Sequence, residues 1–358
     1  MIRPCRFAFG DSWSANGYEA DRGYNLSLQP LRTSTGGQTW LNCLCSSPST
    51  PQLRTSHYSL AVAGATVLHS AKAPMLPNIS LSDQVDLFET WFVTSSRASR
   101  PRWSASTTLF SIFLGSNDVA FRWWTGDSTA PHIQTTFAVF GAQIERLYGL
   151  GARHFLLFSV PPYERAPVVV AVNRLAGDVR VKLGASIAAW NAVLRLYVRE
   201  IPRRYSGASA ELVDVWSWFD GLLDRADEYG FVNPKSWCPS YARGSGVAGV
   251  PEQLSLEKCN GSLAQHLWYD GIHPTWSVHR LLAASVREQL SRRTAGLSLG
   301  LPSLADVDKH FPLEQLSYEE RSEAESEYRR TVLSGEEGRS TTASGRDDEL
   351  PTLFPVLA

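Results

Sequence analysis

Ser12 stands in Phe9-Gly10-Asp11-Ser12, just behind a short apolar run, and later segments carry the groups a serine needs to become a nucleophile. A serine hydroxyl attacks a carbonyl only when a base takes its proton as the new bond forms. Asp270-Gly271-Ile272-His273 supplies a candidate base, His273, with the Asp270 carboxylate three residues before it. A carboxylate on one imidazole nitrogen fixes the tautomer and stabilises the imidazolium formed during attack. The oxyanion that develops on the carbonyl needs hydrogen-bond donors as well. Asn117, in Gly115-Ser116-Asn117-Asp118, can offer a side-chain amide. Gly64, in Ala63-Gly64-Ala65-Thr66, can offer a backbone N–H where a side chain would crowd the substrate, and the N–H of Ser12 is a third donor. The chemistry of this set is acyl transfer.

Each group has a plainer reading when taken alone. Ser12 after a strand can simply cap the next helix. Asp-x-x-His is often a capping or solvated pair, Gly64 reads equally as a turn glycine, and Asn117-Asp118 as a turn or cap. Their order along the chain favours the catalytic reading, because each follows an expected strand or precedes an expected helix. The remaining histidines lack that context. His279, six residues beyond His273, is the substitute base to be weighed.

Short apolar runs alternate with helix-period segments, the pattern of a parallel sheet covered by helices. Strands are expected at Arg6–Phe9, Tyr58–Ala63, Leu109–Leu114, His154–Val160 and Glu211–Val215. Apolar residues at helical spacing predict helices over Thr135–Leu150 and Val179–Ile201, and Thr275 is the expected N-cap of a helix carrying Trp276, Leu281, Leu282, Val286 and Leu290. Residues 230–262, rich in Gly, Pro, Ser and Cys, are expected as a long surface insertion. Gly244-Ser245-Gly246-Val247-Ala248-Gly249 has dinucleotide-loop spacing, but with no strand before it or helix after it we read it as a flexible loop.

The ordered blocks resemble those of the GDSL/SGNH hydrolase superfamily over roughly residues 6–290. Gly37-Gln38-Thr39-Trp40, Asp83-Gln84-Val85 and Val160-Pro161-Pro162 add a resemblance to fungal acetylesterase-type carbohydrate esterases, and a more distant one to plant GDSL lipases. The resemblance implies a three-layer α/β/α fold with a flavodoxin-like, five-stranded parallel sheet. It implies Ser12, Asp270 and His273 as the catalytic triad and Ser12, Gly64 and Asn117 as the oxyanion hole, with no cofactor or metal. The implied activity is hydrolysis of short acyl, chiefly acetyl, esters of sugars or oligosaccharides by a monomer. A lipase or thioesterase of the same fold is the alternative, and a non-catalytic carbohydrate-binding protein a further one. Trp13 stands where the family's name-giving Leu would be. Of the tryptophans, Trp123 and Trp124 are the candidates to face a sugar ring.

Composition bounds the remaining readings. With 34 Lys and Arg against 35 Asp and Glu, the chain offers no electrostatic case for a nucleic-acid partner. No apolar run reaches the ~20 residues needed to span a bilayer. From residue 295 onward 6 basic residues face 13 acidic ones. We therefore divide the chain into a hydrolase domain over 1–294 and an acidic, partly disordered extension over 295–358, with Leu313–Leu333 as one possible helix. No signal peptide opens the chain, yet Asn25, Asn78 and Asn260 begin Asn-x-Ser sequons that suit a glycosylated, secreted protein whose leader is missing. A cytoplasmic location is the alternative. Cys238 and Cys259 could close the insertion as a disulfide, whereas Cys43 and Cys45 are too close in sequence to pair easily.

Overall fold

Cys5–Gly10 forms β1, and it runs parallel between Ser56–Ser59 (β2) and Thr108–Phe113 (β3). A computed structural model describes residues 5–25, 32–45, 56–69, 79–125, 129–238, 259 and 261–293. His154–Phe158 (β4) and Ser209–Val213 (β5) complete a parallel five-stranded sheet in the order β2-β1-β3-β4-β5. That is the flavodoxin-like order, in which the chain reverses direction across the sheet beside β1 and opens a crevice at the strands' carboxyl ends.

β3 is buried along its whole length, as a parallel strand covered on both faces must be, and its Leu, Phe and Ile content follows from that. Trp40–Cys45 (α1) packs with the final helix, Trp276–Arg293 (α8), and Val215–Asp224 (α7) joins them through the indole N–H of Trp218, which donates to Ser285 Oγ at 3.0 Å. Leu81–Phe88 (α2), Ser116–Thr125 (α3), Thr129–Gly149 (α4), Pro167–Ala176 (α5) and Val179–Arg204 (α6) pack among themselves in a second layer. Ser80 starts α2 with a capping box, in which Asp83 accepts the Ser80 N–H at 2.7 Å.

The expected strands are all present, with two displaced. β2 starts two residues and ends four residues earlier than the sequence suggests, although the chain beyond it stays paired to β1: Leu60 N–H donates to Ala8 and Val62 N–H to Gly10. β5 ends at Val213 because Asp214 turns outward to cap α7, accepting the Ser217 N–H at 3.2 Å. α4 begins six residues before its expected start, since Pro131 is tolerated in a first turn. The insertion expected over 230–262 contains a strand, Asn233–Trp237 (β6), which pairs with His266–Trp268 (β7) in a second, two-stranded sheet. Asn-Pro-Lys-Ser-Trp carries no alternation of apolar and polar residues that would announce a strand. Cys238 and Cys259 are joined as a disulfide with their Cα atoms 5.8 Å apart. The loop at Gly244–Gly249, the sequons at Asn78 and Asn260, and everything from 294 onward lie outside the described residues.

Gly115, two residues beyond β3, must be glycine on two counts: its φ is 124°, and an added Cβ would come 2.4 Å from the ring of Trp190 on α6. Gly115→Ala should therefore destabilise the protein by about 3 kcal/mol, the sum of left-handed strain and overpacking, as read from the urea midpoint. A loss under about 0.5 kcal/mol would mean that Trp190 moves aside freely.

Candidate active site

The turn after β1 projects Ser12 from the carboxyl end of the sheet. Asp11 N–H continues the pairing to the Phe113 carbonyl at 3.3 Å, and the Asp11 carbonyl then receives Ser14 N–H and Ala15 N–H at 3.0 and 2.9 Å. Asp11 Oδ1 accepts the Trp13 N–H at 3.0 Å, so the segment folds as a single tight turn. Gly10 lets the chain approach β3: a Cβ there would sit 2.7 Å from the Phe113 carbonyl oxygen. The buried amide of Gln84, from α2, grips Gly10 on both sides, accepting its N–H at 2.7 Å and donating to its carbonyl at 2.8 Å. Within this frame the backbone N–H of Ser12 makes no hydrogen bond to the described residues.

His273 reaches Ser12 from the loop between β7 and α8. Its Nε2 lies 2.9 Å from Ser12 Oγ, and its Nδ1 lies 2.7 Å from Asp270 Oδ2. Asp270 Oδ1 is held separately by the N–H groups of Ile272 and His273, at 2.8 and 2.7 Å. Division of labour between the two oxygens orients the carboxylate as well as the imidazole. Burial opposes a charge on His273, but the Asp270 carboxylate outweighs it, with a smaller contribution from Asp11, and the imidazole pKa rises above its ordinary value. Burial likewise works to raise Asp270, yet the charge and hydrogen bond of His273 and the two backbone donors bring it below the usual carboxylate range.

The segments that carry the candidate oxyanion donors are tied to one another by hydrogen bonds. Ala65 N–H closes a turn onto the Val62 carbonyl at 3.0 Å, with Gly64 at φ 81°, a value glycine adopts without strain. The same Val62 is tied to Gly10, which links this turn to that of Ser12. Asn117 opens α3 and donates one amide hydrogen to the Ala65 carbonyl at 2.9 Å, leaving its other amide hydrogen for a ligand. Asp118 receives the Val67 N–H at 3.0 Å on Oδ1 and 3.2 Å on Oδ2. Gly64 N–H, like that of Ser12, has no hydrogen-bond partner among the described residues. Two N–H groups and one amide thus sit on segments tied in series, the Ser12 turn to the Gly64 turn and the Gly64 turn to the start of α3.

Behind the serine lie two buried carboxyls. Burial raises Asp11 to about 7 against the Trp13 N–H and the charge of His273, and burial raises Asp118 to about 7 with a further push from Asp11.

Other candidates do not join the site. His279 is buried, its Nδ1 accepts the Trp40 N–H at 3.2 Å, and burial followed by the charge of His273 lowers its pKa to about 3. It is a structural, neutral histidine, and the substitute-base reading falls. Thr275 does precede α8, but its hydroxyl donates to the His266 carbonyl at 2.7 Å. Trp13 is core, its ring against His279 and its N–H donated to Tyr163 Oη. Trp123 and Trp124 fall on α3, and their side chains lie outside the described residues. Sequence reasoning missed Gln84, Asp118 and Asn191, the last of which clamps Val160 N–H and carbonyl at 2.8 and 3.0 Å. Gln84 and Asp118 stand inside motifs quoted above, yet nothing local reveals a partner on another element.

Among the described residues no group of three or more His, Cys, Asp or Glu could hold a metal ion, and no helix is long and apolar enough to cross a membrane. A family model described as GDSL-like Lipase/Acylhydrolase matches residues 7–286. An acetylesterase of Thermothelomyces thermophilus is 29% identical over 291 residues, covering 78% of this chain and 86% of that protein. A GDSL esterase/lipase of Arabidopsis thaliana is 24% identical over 243 residues, covering 62% of this chain and 64% of the relative. A solved structure of a lipolytic G-D-S-L family member from Veillonella parvula superposes with a TM-score of 0.40 at 15% identity, covering 80% of this chain and 98% of that one.

Proposed function

This chain belongs to the GDSL-like lipase/acylhydrolase family, and from that premise we propose that it is a serine esterase for short acyl, above all acetyl, esters of carbohydrates. The observation that carries the reading is the unbroken series from Ser12 Oγ through His273 to Asp270, with contacts of 2.9 and 2.7 Å. Ser12 attacks the ester carbonyl while His273 Nε2 takes its proton, and Asp270 stabilises the imidazolium. Ser12 N–H, Gly64 N–H and the Asn117 amide receive the oxyanion. His273 then protonates the departing alcohol, activates a water, and the acyl-enzyme is hydrolysed.

The acetylesterase relative, matched over most of its length, supports a small acyl group. For the sugar alcohol, support comes from the motif resemblance. The disulfide between Cys238 and Cys259 supports an oxidising compartment as the working location.

Rates on p-nitrophenyl acetate, butyrate and octanoate test the acyl assignment. We expect kcat/KM on acetate to exceed that on octanoate by at least about tenfold, since each misfit methylene costs on the order of 1 kcal/mol or more. Rates that rise with chain length would move the assignment to a lipase. Folded protein inactive on every ester would make the site a binding site.

A further inference from the structure

The disulfide lies against the loop that carries the base. Cys238 directly follows β6, whose Trp237 pairs with Trp268 in β7, and β7 runs straight into Tyr269 and Asp270. With Leu263, Tyr269 and Trp276, the two cysteines form a small buried apolar cluster distinct from the main core. Tyr269 precedes Asp270, and Trp276 stands three residues beyond His273. The two rings therefore bracket the catalytic turn.

Those rings are pressed by a second segment too. A Cβ on Gly36 would come 2.8 Å from Tyr269 Cε2, and one on Gly37 would come 2.7 Å from Trp276 Cγ. Trp276 N–H donates to the Thr35 carbonyl at 2.9 Å. The turn's own backbone bonds are Tyr269 N–H and Asp270 N–H to the His273 carbonyl at 2.8 and 3.5 Å and Thr275 N–H to that of Leu267 at 2.9 Å, and Val168 N–H from α5 donates to the Gly271 carbonyl at 3.0 Å. These bonds fix the middle of the turn, and the rings at its two ends seat it against the rest of the domain.

We infer that the Cys238–Cys259 disulfide is a positioning element for His273 and Asp270, so that turnover depends on the thiol redox state of this pair. The inference rests on His273 acting as the base. With the S–S bond intact, the end of β6 and the approach to β7 are tied beside Tyr269 and Trp276. With it broken, two separate thiols occupy the cluster and only the intervening chain joins these segments. Dithiothreitol performs the exchange in balance: the S–S bond breaks, Cys238 and Cys259 each gain a proton and an electron, and the reagent closes to its cyclic disulfide.

The experiment compares the full chain as purified, after native reduction and alkylation verified by mass at both cysteines, and after reoxidation, beside C238S/C259S treated identically. Reduction is expected to lower kcat on p-nitrophenyl acetate about 10- to 100-fold, with KM within about twofold, because misplacing a catalytic group by an ångström has effects of this size. The acid limb of the kcat/KM profile should move to lower pH as His273 loses Asp270, and reoxidation should restore both. C238S/C259S should show the low kcat and no response to the reagent, which separates this effect from any at Cys5, Cys43 or Cys45. Reduced protein that keeps kcat within twofold overturns the inference. So does a loss of kcat that only tracks a global melting transition, with the acid limb unmoved. The two readings fail separately: an oxidised enzyme that is inactive, or whose activity survives Ser12→Ala, sinks the esterase mechanism, whereas this inference is judged on the ratio between redox states of an active enzyme.

Discussion

Ser12→Ala is expected to lower kcat on p-nitrophenyl acetate by about 10⁴- to 10⁶-fold, the range that follows loss of a nucleophile working as one unit with its base. The substitution removes a single oxygen, the one 2.9 Å from His273 Nε2, and leaves the turn that presents it intact. Nothing else in that turn needs the hydroxyl: Asp11, Ser14 and Ala15 close it through their backbones, and Gln84 holds Gly10 by backbone atoms. The melting temperature should therefore stay within a few degrees, and KM should change little if the oxyanion donors still bind the ester. The variant should also resist labelling by an organophosphate that modifies the parent enzyme at Ser12. A tenfold loss would point instead to water activated directly by His273. Full activity would place the nucleophile elsewhere.

The sequence reveals the candidate reacting groups more clearly than the groups that hold them. Ser12, Gly64, Asn117, Asp270 and His273 each fall where a strand or turn ends, a position readable from the apolar runs before it. The structure joins Ser12, His273 and Asp270 in one hydrogen-bonded series and ties Asn117 to the residue after Gly64. Gln84 is illegible for a physical reason: its amide replaces a ladder partner for Gly10, 74 residues away, and no local pattern announces such a pairing. Asn191, inside the long α6, satisfies Val160 in the same manner. The displaced ends of β2 and β5 show another limit, because apolar content continues past the last strand residue while a turn or a cap decides where the strand stops. In β6 the backbone pairs although the side chains carry no strand signal, and its order comes from the neighbouring β7 and the disulfide. His279 illustrates the converse, since its sequence context allows a base and only its burial against Trp13 and Trp40 removes that role.

Asp270→Asn should be nearly as damaging as loss of the nucleophile, lowering kcat by about 10⁴-fold while leaving the fold in place. The two carboxylate oxygens have different tasks. Oδ1 takes the N–H groups of Ile272 and His273, and Oδ2 faces His273 Nδ1. In the asparagine the carbonyl oxygen stays with the two backbone donors, which only an acceptor can satisfy, so the NH₂ group turns toward Nδ1. Nδ1 must then accept, the ring proton moves to Nε2, and the nitrogen beside Ser12 Oγ can no longer take a proton. Retaining the backbone contacts should keep the melting temperature close to that of the parent. The pH profile gives an independent reading. His273 is held above its ordinary pKa because Asp270 outweighs the effect of burial, so activity in the parent should fall away as the pH drops through that raised value and the base becomes protonated. Without the carboxylate, burial acts against the imidazolium with little opposition, and the acid limb of the residual activity should shift to lower pH. A loss of less than tenfold, or an acid limb that stays in place, would mean that another group orients the imidazole and that Asp270 serves only to shape the turn.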